Sequence, residues 1–446
     1  MLSVLANRTY RHLLSAQVIA LIGTGLATIA LGLLAYDIAG TDAGAVLGTA
    51  LAIKMIAYIG VAPMVGAFAD WLPRRAFLVA MDLVRASVLL VLPFVDQVWQ
   101  IYVLIFAVQS ASAAFTPTFQ ATIPDVLLEE GDYTRALSLS RLAYDMESLL
   151  SPILAAGLLT IISFHWLFAG TAIGFVCSAL LVISVVLPHS PAKPRTGGIY
   201  ARTTRGLRIY LKTPRLRGLL AVTLAAAAAS SMVIVNTVVI VQGNLGLAQR
   251  EVAWTLAAYG GGSMLAALAL PRLLERISDR SAMIGAAAAL TVGLAIMAAL
   301  FFGSEIGWAM VLIGWFVLGV AYSMSITPSG RLLRRSANAE DRPAIFAAQF
   351  ALSHGSWLIC YPIAGQVGAT AGQAAAFATL AGVAAIGTIA ALAQWPARDP
   401  ETIAHTHDDL PPDHLHLLTA HGGGEAAHAF VIDDYHPDWP RSVKTP

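Results

Sequence analysis

This chain is a succession of apolar stretches long enough to cross a bilayer. A helix needs about 20 such residues to span the hydrocarbon. Twelve candidates run near 12–36, 44–69, 76–95, 98–120, 138–162, 165–187, 217–242, 251–271, 281–302, 306–328, 343–367 and 372–395. Apolar residues fill 57% of the 446 positions and charged residues only 12%, about half the share of an ordinary globular domain. Open backbone cannot face lipid, so each stretch is predicted to be a helix. The alternating pattern of a transmembrane barrel is not seen. The expected fold class is an all-α integral membrane protein with twelve transmembrane helices.

The basic residues predict an orientation. With the N-terminus cytoplasmic, one side holds Arg8 and Arg11, Arg74 and Arg75, and Arg135 and Arg141. It also holds Arg272, Arg276 and Arg280, then Arg331, Arg334, Arg335 and Arg342. The loops on the other side hold only Arg250. This bias predicts that both termini are cytoplasmic. The net charge of +1 carries no such information. The first apolar run is too long for a cleavable signal segment and lacks a small-residue cleavage site. Cys177 and Cys360 both fall in predicted spans, where they read as small apolar fillers rather than a disulfide framework.

The chain divides into a six-helix bundle over 1–187, a basic linker over 188–216, a second bundle over 217–395 and a tail over 396–446. The bundles echo one another. Thr116-Pro117 matches Thr327-Pro328, Pro152 matches Pro362 and Arg75 matches Arg280 at a near-constant offset. From Lys193 to Arg217 the linker carries eight basic residues and no acid, and its second part reads either as an amphipathic helix on the inner leaflet or as an ordinary inside loop.

The tail is polar and predicted to be disordered or only locally ordered. Its His405-Thr-His407 and His414-Leu-His416 pairs offer imidazoles of the kind that suit nickel, zinc, copper or cobalt; the alternative is incidental histidines. The aromatic end, 429–439, could dock on the protein's own inner face.

Between the second and third stretches lies Gly66-Ala-Phe-Ala-Asp70-Trp-Leu-Pro-Arg74-Arg75. A weaker copy, Pro271-Arg-Leu-Leu-Glu275-Arg-Ile-Ser-Asp279-Arg280, occupies the matching break of the second half. A small residue, an acid four positions on and paired basic residues resemble the loop 2–3 signature of the major facilitator superfamily. The resemblance covers about residues 8–395. It implies the major facilitator fold and a secondary transporter, not an enzyme, that works by alternating access with no cofactor beyond an ion gradient, expected to be protons. It also implies that Gly66, Asp70, Arg74 and Arg75, with Glu275, Asp279 and Arg280, form a cytoplasmic gate.

Asp82-Leu-Val-Arg85 and the kinked Ser151-Pro-Ile-Leu-Ala-Ala-Gly157 resemble small exporters of the enterobactin and nickel-resistance type. That implies efflux across the bacterial inner membrane. One departure stands out. The arginine expected in the fourth helix falls at about Phe106, which leaves Asp70 to seek Arg85 or the start of the eleventh helix.

Charges inside the membrane are costly and are functional or paired by default. Asp82 and Arg85 are three apart, share a helix face and read as a structural pair. Lys54 lies inside the second helix. Asp145 or Glu147, with Arg141 nearby, reads either as a proton carrier or as a solvated end. His354 reads as hydrogen-bonded packing or a proton switch. Pro152 and Pro362 are predicted kinks. Gln17, Gln109, Asn236, Trp315, Tyr322, Trp357 and Tyr361 could face a cavity. No nucleotide-binding loop or nucleophile–base motif is visible.

The expected function is proton-coupled export of a drug, siderophore or metabolite. The alternatives are a nickel or cobalt exporter using the tail, and a non-transporting sensor or scaffold. The expected partners are the small-molecule or metal substrate and the lipid bilayer, with no nucleic acid and a monomeric chain.

Overall fold

The computed structural model describes residues 2–68, 73–127, 129–187, 199–303, 306–338, 341–399, 402–405, 426–433 and 435–440. Asp70, His407, His414 and His416 lie outside the described residues, as do the surroundings of Gly66 and the side chains of Arg141, Asp145 and His405.

Helix α1 (Arg8–Ala39) starts where the Asn7 side chain accepts the Tyr10 backbone N–H at 3.0 Å. It stops at Gly40, whose φ of 56° the other residues rarely adopt. Helix α2 (Ala43–Phe68) returns, so the residues near Ala43 lie on the face opposite the termini. Then follow α3 (Arg74–Val91), α4 (Val98–Val126), α5 (Glu130–Leu158) and α6 (His165–Ile183). The linker contributes α7 (Ile199–Lys212). The second half comprises α8 (Pro214–Val238), α9 (Gln249–Leu273), α10 (Asp279–Gly303), α11 (Trp308–Ile326), the short α12 (Ser329–Arg335) and the long α13 (Arg342–Gln394).

Among the described residues, nine runs are long and apolar enough to cross a membrane. The first, Arg8–Val61, is 54 residues long and the last, Ala344–Gln394, is 51, each far more than one crossing needs. Gly40 interrupts the first and Gly372, with φ of 85°, the last. Large apolar side chains such as Leu90, Ile173, Leu268 and Ile389 stand exposed along the flanks, as lipid-facing residues do.

Helix α8 is the most enclosed element. Ala225 to Ala229 are all fully buried, and a Cβ on Gly387 of α13 would stand 2.6 Å from the Ala221 carbonyl oxygen. Small residues let these backbones approach where hydrophobic collapse gives no help.

The linker corrects the plain-loop reading. Arg205 of α7 binds Asp341 through Nε to Oδ1 at 2.6 Å, Tyr210 donates to Gln349, and Gly206 rests on the Ala344 carbonyl. α7 therefore lies on the start of α13. The tail holds local order, one of the two states its composition allows. Strand β1 (Thr402–His405) pairs antiparallel with β2 (Ala426–Ala429), Thr402 opposite Ala429. Beyond it Phe430, Val431 and Ile432 are buried. The expected docking of the aromatic end is present.

Candidate functional site

The loop arginines act first as caps. Arg75, at the start of α3, donates from Nη2 to the Ile183 carbonyl at the end of α6, one of the oxygens a helix end leaves unsatisfied. In the second copy the engaged acid is Asp279, not Glu275. Asp279 opens α10, is 9% exposed, and takes two bonds from Arg331 of α12, one from Nε at 3.1 Å. Glu275 is exposed. Arg280 donates from Nε to the Trp395 carbonyl at 2.9 Å, tying the start of α10 to the end of α13. In this state Arg75 and Asp279 each bond within their own half.

Asp82 and Arg85 form a buried pair, as their spacing predicts. Ser178 of α6 donates to the second Asp82 oxygen at 2.8 Å, and the Arg85 guanidinium lies 4.3 Å from the ring centres of both Phe115 and Phe175. The sequence reading missed these partners, because a serine and two phenylalanines on other helices leave no local signal. The pair joins α3, α4 and α6 and has no room to serve as a moving charge.

Lys54 and Glu147 are of another kind. Both are half-buried at mid-span, on α2 and α5, and they interact electrostatically. Among the described residues neither forms a closed ion pair. Glu147 is positioned against α1, its Cγ 3.4 Å from where a Cβ on Gly25 would sit. Ser151, one turn on, donates to the Ile22 carbonyl at 3.3 Å and brings α1 and α5 together beside Pro152. His354 of α13 approaches from the other half, where it also interacts with Lys54. Its Nδ1 lies 2.7 Å from the Phe350 carbonyl and its ring stacks on Tyr58 at 5.3 Å.

Other polar candidates prove to be helix glue. Gln17 accepts from Ser140 at 3.0 Å. Asn236 donates to the Ala364 carbonyl at 2.9 Å, Trp315 to Thr237 and Trp357 to Ser230, both at 2.8 Å. Gln109 does line a cavity, with Lys54. Tyr322 and Tyr361 face one another's neighbourhood with Tyr259, whose ring is 5.7 Å from that of Tyr322. Pro362 lies within α13.

On the face opposite the termini, the halves meet through glycine. A Cβ on Gly48 of α2 would stand 2.5 Å from the Tyr361 carbonyl, and one on Gly44 would stand 2.8 Å from Asn236 Oδ1. Gly365 of α13 abuts the Gly44 carbonyl. The Gly44-x-x-x-Gly48 spacing is the signal that could have revealed this seam.

The family model of the Major Facilitator Superfamily matches residues 13–239 and 219–420. An uncharacterized MFS-type transporter of Bacillus subtilis (strain 168), YfiS, is 23% identical over 294 residues, which span 64% of this chain and 69% of that protein. Among solved structures, the nucleoside transporter NupG aligns with a TM-score of 0.64 at 15% identity, over 87% of this chain and 100% of that one. A POT family transporter in complex with 5-aminolevulinic acid gives 0.68 at 12% identity, over 87% and 96%. A bacterial homolog of the human lysosomal transporter Spinster, inward-facing and unoccupied, gives 0.66 at 12%, over 87% and 98%. These likenesses show the fold, and the family match covers nearly all of the apolar region. The chain is a multi-pass membrane transporter and belongs to the major facilitator superfamily.

Proposed function

We propose that the protein is a proton-coupled exporter of a small molecule across the bacterial inner membrane, with both termini cytoplasmic. The observation that carries this reading is the open Lys54–Glu147 pair at mid-span. A membrane-embedded carboxylate that is not locked into an ion pair can take up and give off a proton. Dividing the two over-long runs at their glycines and adding α5, which is as long but more polar, supports twelve spans in two bundles. The glycine seam supports an outer face that is closed in this state, while Arg75 and Asp279 each bond within their own half. Alternating access then consists of parting that seam and closing the loop 2–3 gate with Asp70.

The test is flux in proteoliposomes under an imposed pH gradient, over a panel of drugs, siderophores and divalent metals. The expected result is gradient-dependent movement of at least one organic compound. Movement of nickel or cobalt alone, lost on deleting 397–446, would favour the metal reading instead. Absence of any gradient-driven flux would favour the sensor reading.

A further inference from the structure

A small cavity inside the first half is walled mostly by apolar side chains and carries a cluster of polar ones. It measures about 30 Å3 and lies among α1, α2, α3, α4 and α6. One water needs about 10–15 Å3, so the space suits an ammonium group or a water or two, and no organic substrate. Its polar lining is Thr24, Thr28, Lys54, Gln109 and Ser112. The hydroxyl protons are already committed, each at 2.9 Å: Thr24 to the Ala20 carbonyl, Thr28 to the Thr24 carbonyl and Ser112 to the Val108 carbonyl. Each hydroxyl therefore has only lone pairs left to offer. The Gln109 carbonyl oxygen is buried with no hydrogen-bond partner. A buried acceptor without a donor is costly. Of the side chains around the cavity, only Lys54 carries a cationic donor, with three N–H bonds and no acceptor.

We propose that this cavity is a parking site for the Lys54 ammonium, which alternates between it and the Glu147 carboxylate. The proposal rests on Glu147 being the proton carrier. While Glu147 is ionised, Lys54 leans toward it. When Glu147 takes up a proton, Lys54 loses its counter-charge, and a half-buried ammonium within the span is stabilised by oxygen partners. Thr24, Thr28, Ser112 and Gln109 supply them. The cavity thus stabilises the protonated state of a residue it does not touch, and Gln109 is a positioning residue for coupling. Among the described residues, the ionisable groups placed at the pair are Lys54 of α2 itself and His354 of α13, whose ring stacks on Tyr58 of α2. Helix α1 faces Glu147 through Gly25 and the cavity through Thr24 and Thr28.

Infrared titration of the full-length protein in detergent needs no substrate. The protonated-carboxyl band that disappears in Glu147→Gln reports this residue, and its midpoint is followed with pH. Lys54→Met removes a positive neighbour and should move the midpoint up. Gln109→Leu, Thr28→Val and Ser112→Ala weaken the parked state, hold Lys54 at Glu147, and should move it down, by about one pH unit for the combined loss. Opposite shifts would support the parking site, because a general loss of packing has no reason to reverse sign between the two sets. The two hydroxyl variants are near-isosteric and keep the test available if Gln109→Leu fails to fold. Cavity variants that titrate at the wild-type midpoint, or move upward with Lys54→Met, would overturn the proposal and leave the proton carrier standing. A wild-type protein with no titrating band dependent on Glu147 would overturn both.

Discussion

The two halves share a helix plan and differ in where they keep charge. The first half holds Lys54, Asp82, Arg85 and Glu147 inside its spans. The second half works at mid-span with Asn236, Trp315, Trp357, three tyrosines and His354. Its charges sit at the ends, in Asp279–Arg331 and in the docked linker and tail. The family model matches over both halves, yet their mid-span chemistry differs. One half carries charges inside its spans, and the other presents a largely uncharged wall to it.

Within the first half the charges divide again. Asp82–Arg85 is a buried ion pair with Ser178 donating to Asp82 and two aromatic rings against the guanidinium, so it fixes structure. Replacing one partner strands a buried charge, which costs about 3–5 kcal/mol. Asp82→Ala or Arg85→Ala should therefore give the largest loss, seen as a collapse in folded yield and thermal stability in detergent. A double replacement with apolar residues should recover part of it. If either single variant stays near wild-type stability, the division between fixed and mobile charge is wrong.

The seam comes next. A side chain at position 48 meets the Tyr361 carbonyl, and overpacking of that kind costs about 1–3 kcal/mol. Gly48→Leu should hold the outer face apart. The check is a cysteine pair at 49 and 366 joined by a short bifunctional thiol reagent, where the Gln366 amide now lies 3.5 Å from the Thr49 hydroxyl. Cross-link yield should fall sharply when Gly48→Leu is added, while the fold persists.

The second half should respond to loss of its cap more mildly. Arg215 is 3% exposed and donates to Ser336 at 2.9 Å, and to Asp399 and the Phe430 carbonyl at 3.1 Å, under the Trp439 ring. Lys212 adds Asp438 at 2.6 Å. Arg215→Ala should free the tail, raising hydrogen exchange over 430–439 and lowering thermal stability by about 1–3 kcal/mol. Gradient-driven flux should persist, because the cap belongs to the wall and not to the coupling groups.

The smallest effect concerns pH. Burial alone pushes the Asp433 carboxyl up, but the His436 imidazole and the backbone N–H groups of His436 and Tyr435 outweigh it and hold it below the usual value. A depressed carboxyl stabilises the docked tail fully above its free value of about 4, and that contribution is lost as pH falls through the lower docked value. Protection of 430–439 should thus be flat near neutrality and drop only in acid, and Asp433→Asn should remove that drop.

Much of the frame was legible because lipid demands it. Twenty-residue apolar runs, the loop 2–3 motif and the (i, i+3) spacing of Asp82 and Arg85 are local patterns. The order in α7 and the docking of 430–439 were legible only as options, since their partners, Asp341, Ser336 and Asp399, are distant in sequence. The second copy offered two acids, Glu275 at the position matching Asp70 and Asp279 beside Arg280. The structure uses Asp279, because that residue opens α10 within reach of Arg331. Helix faces were the hardest to read. Gln17, Asn236, Trp315 and Trp357 looked like cavity residues and instead join helices, because polarity in a membrane serves cohesion as readily as transport.

The central claim is that coupling resides in the charged first half. Once the substrate panel yields a transported compound, gradient-driven uptake into proteoliposomes should be compared in wild type, Glu147→Gln and His354→Gln. The account predicts that Glu147→Gln abolishes accumulation against a gradient while downhill exchange survives, and that His354→Gln retains both. Accumulation that persists in Glu147→Gln and fails in His354→Gln would contradict it.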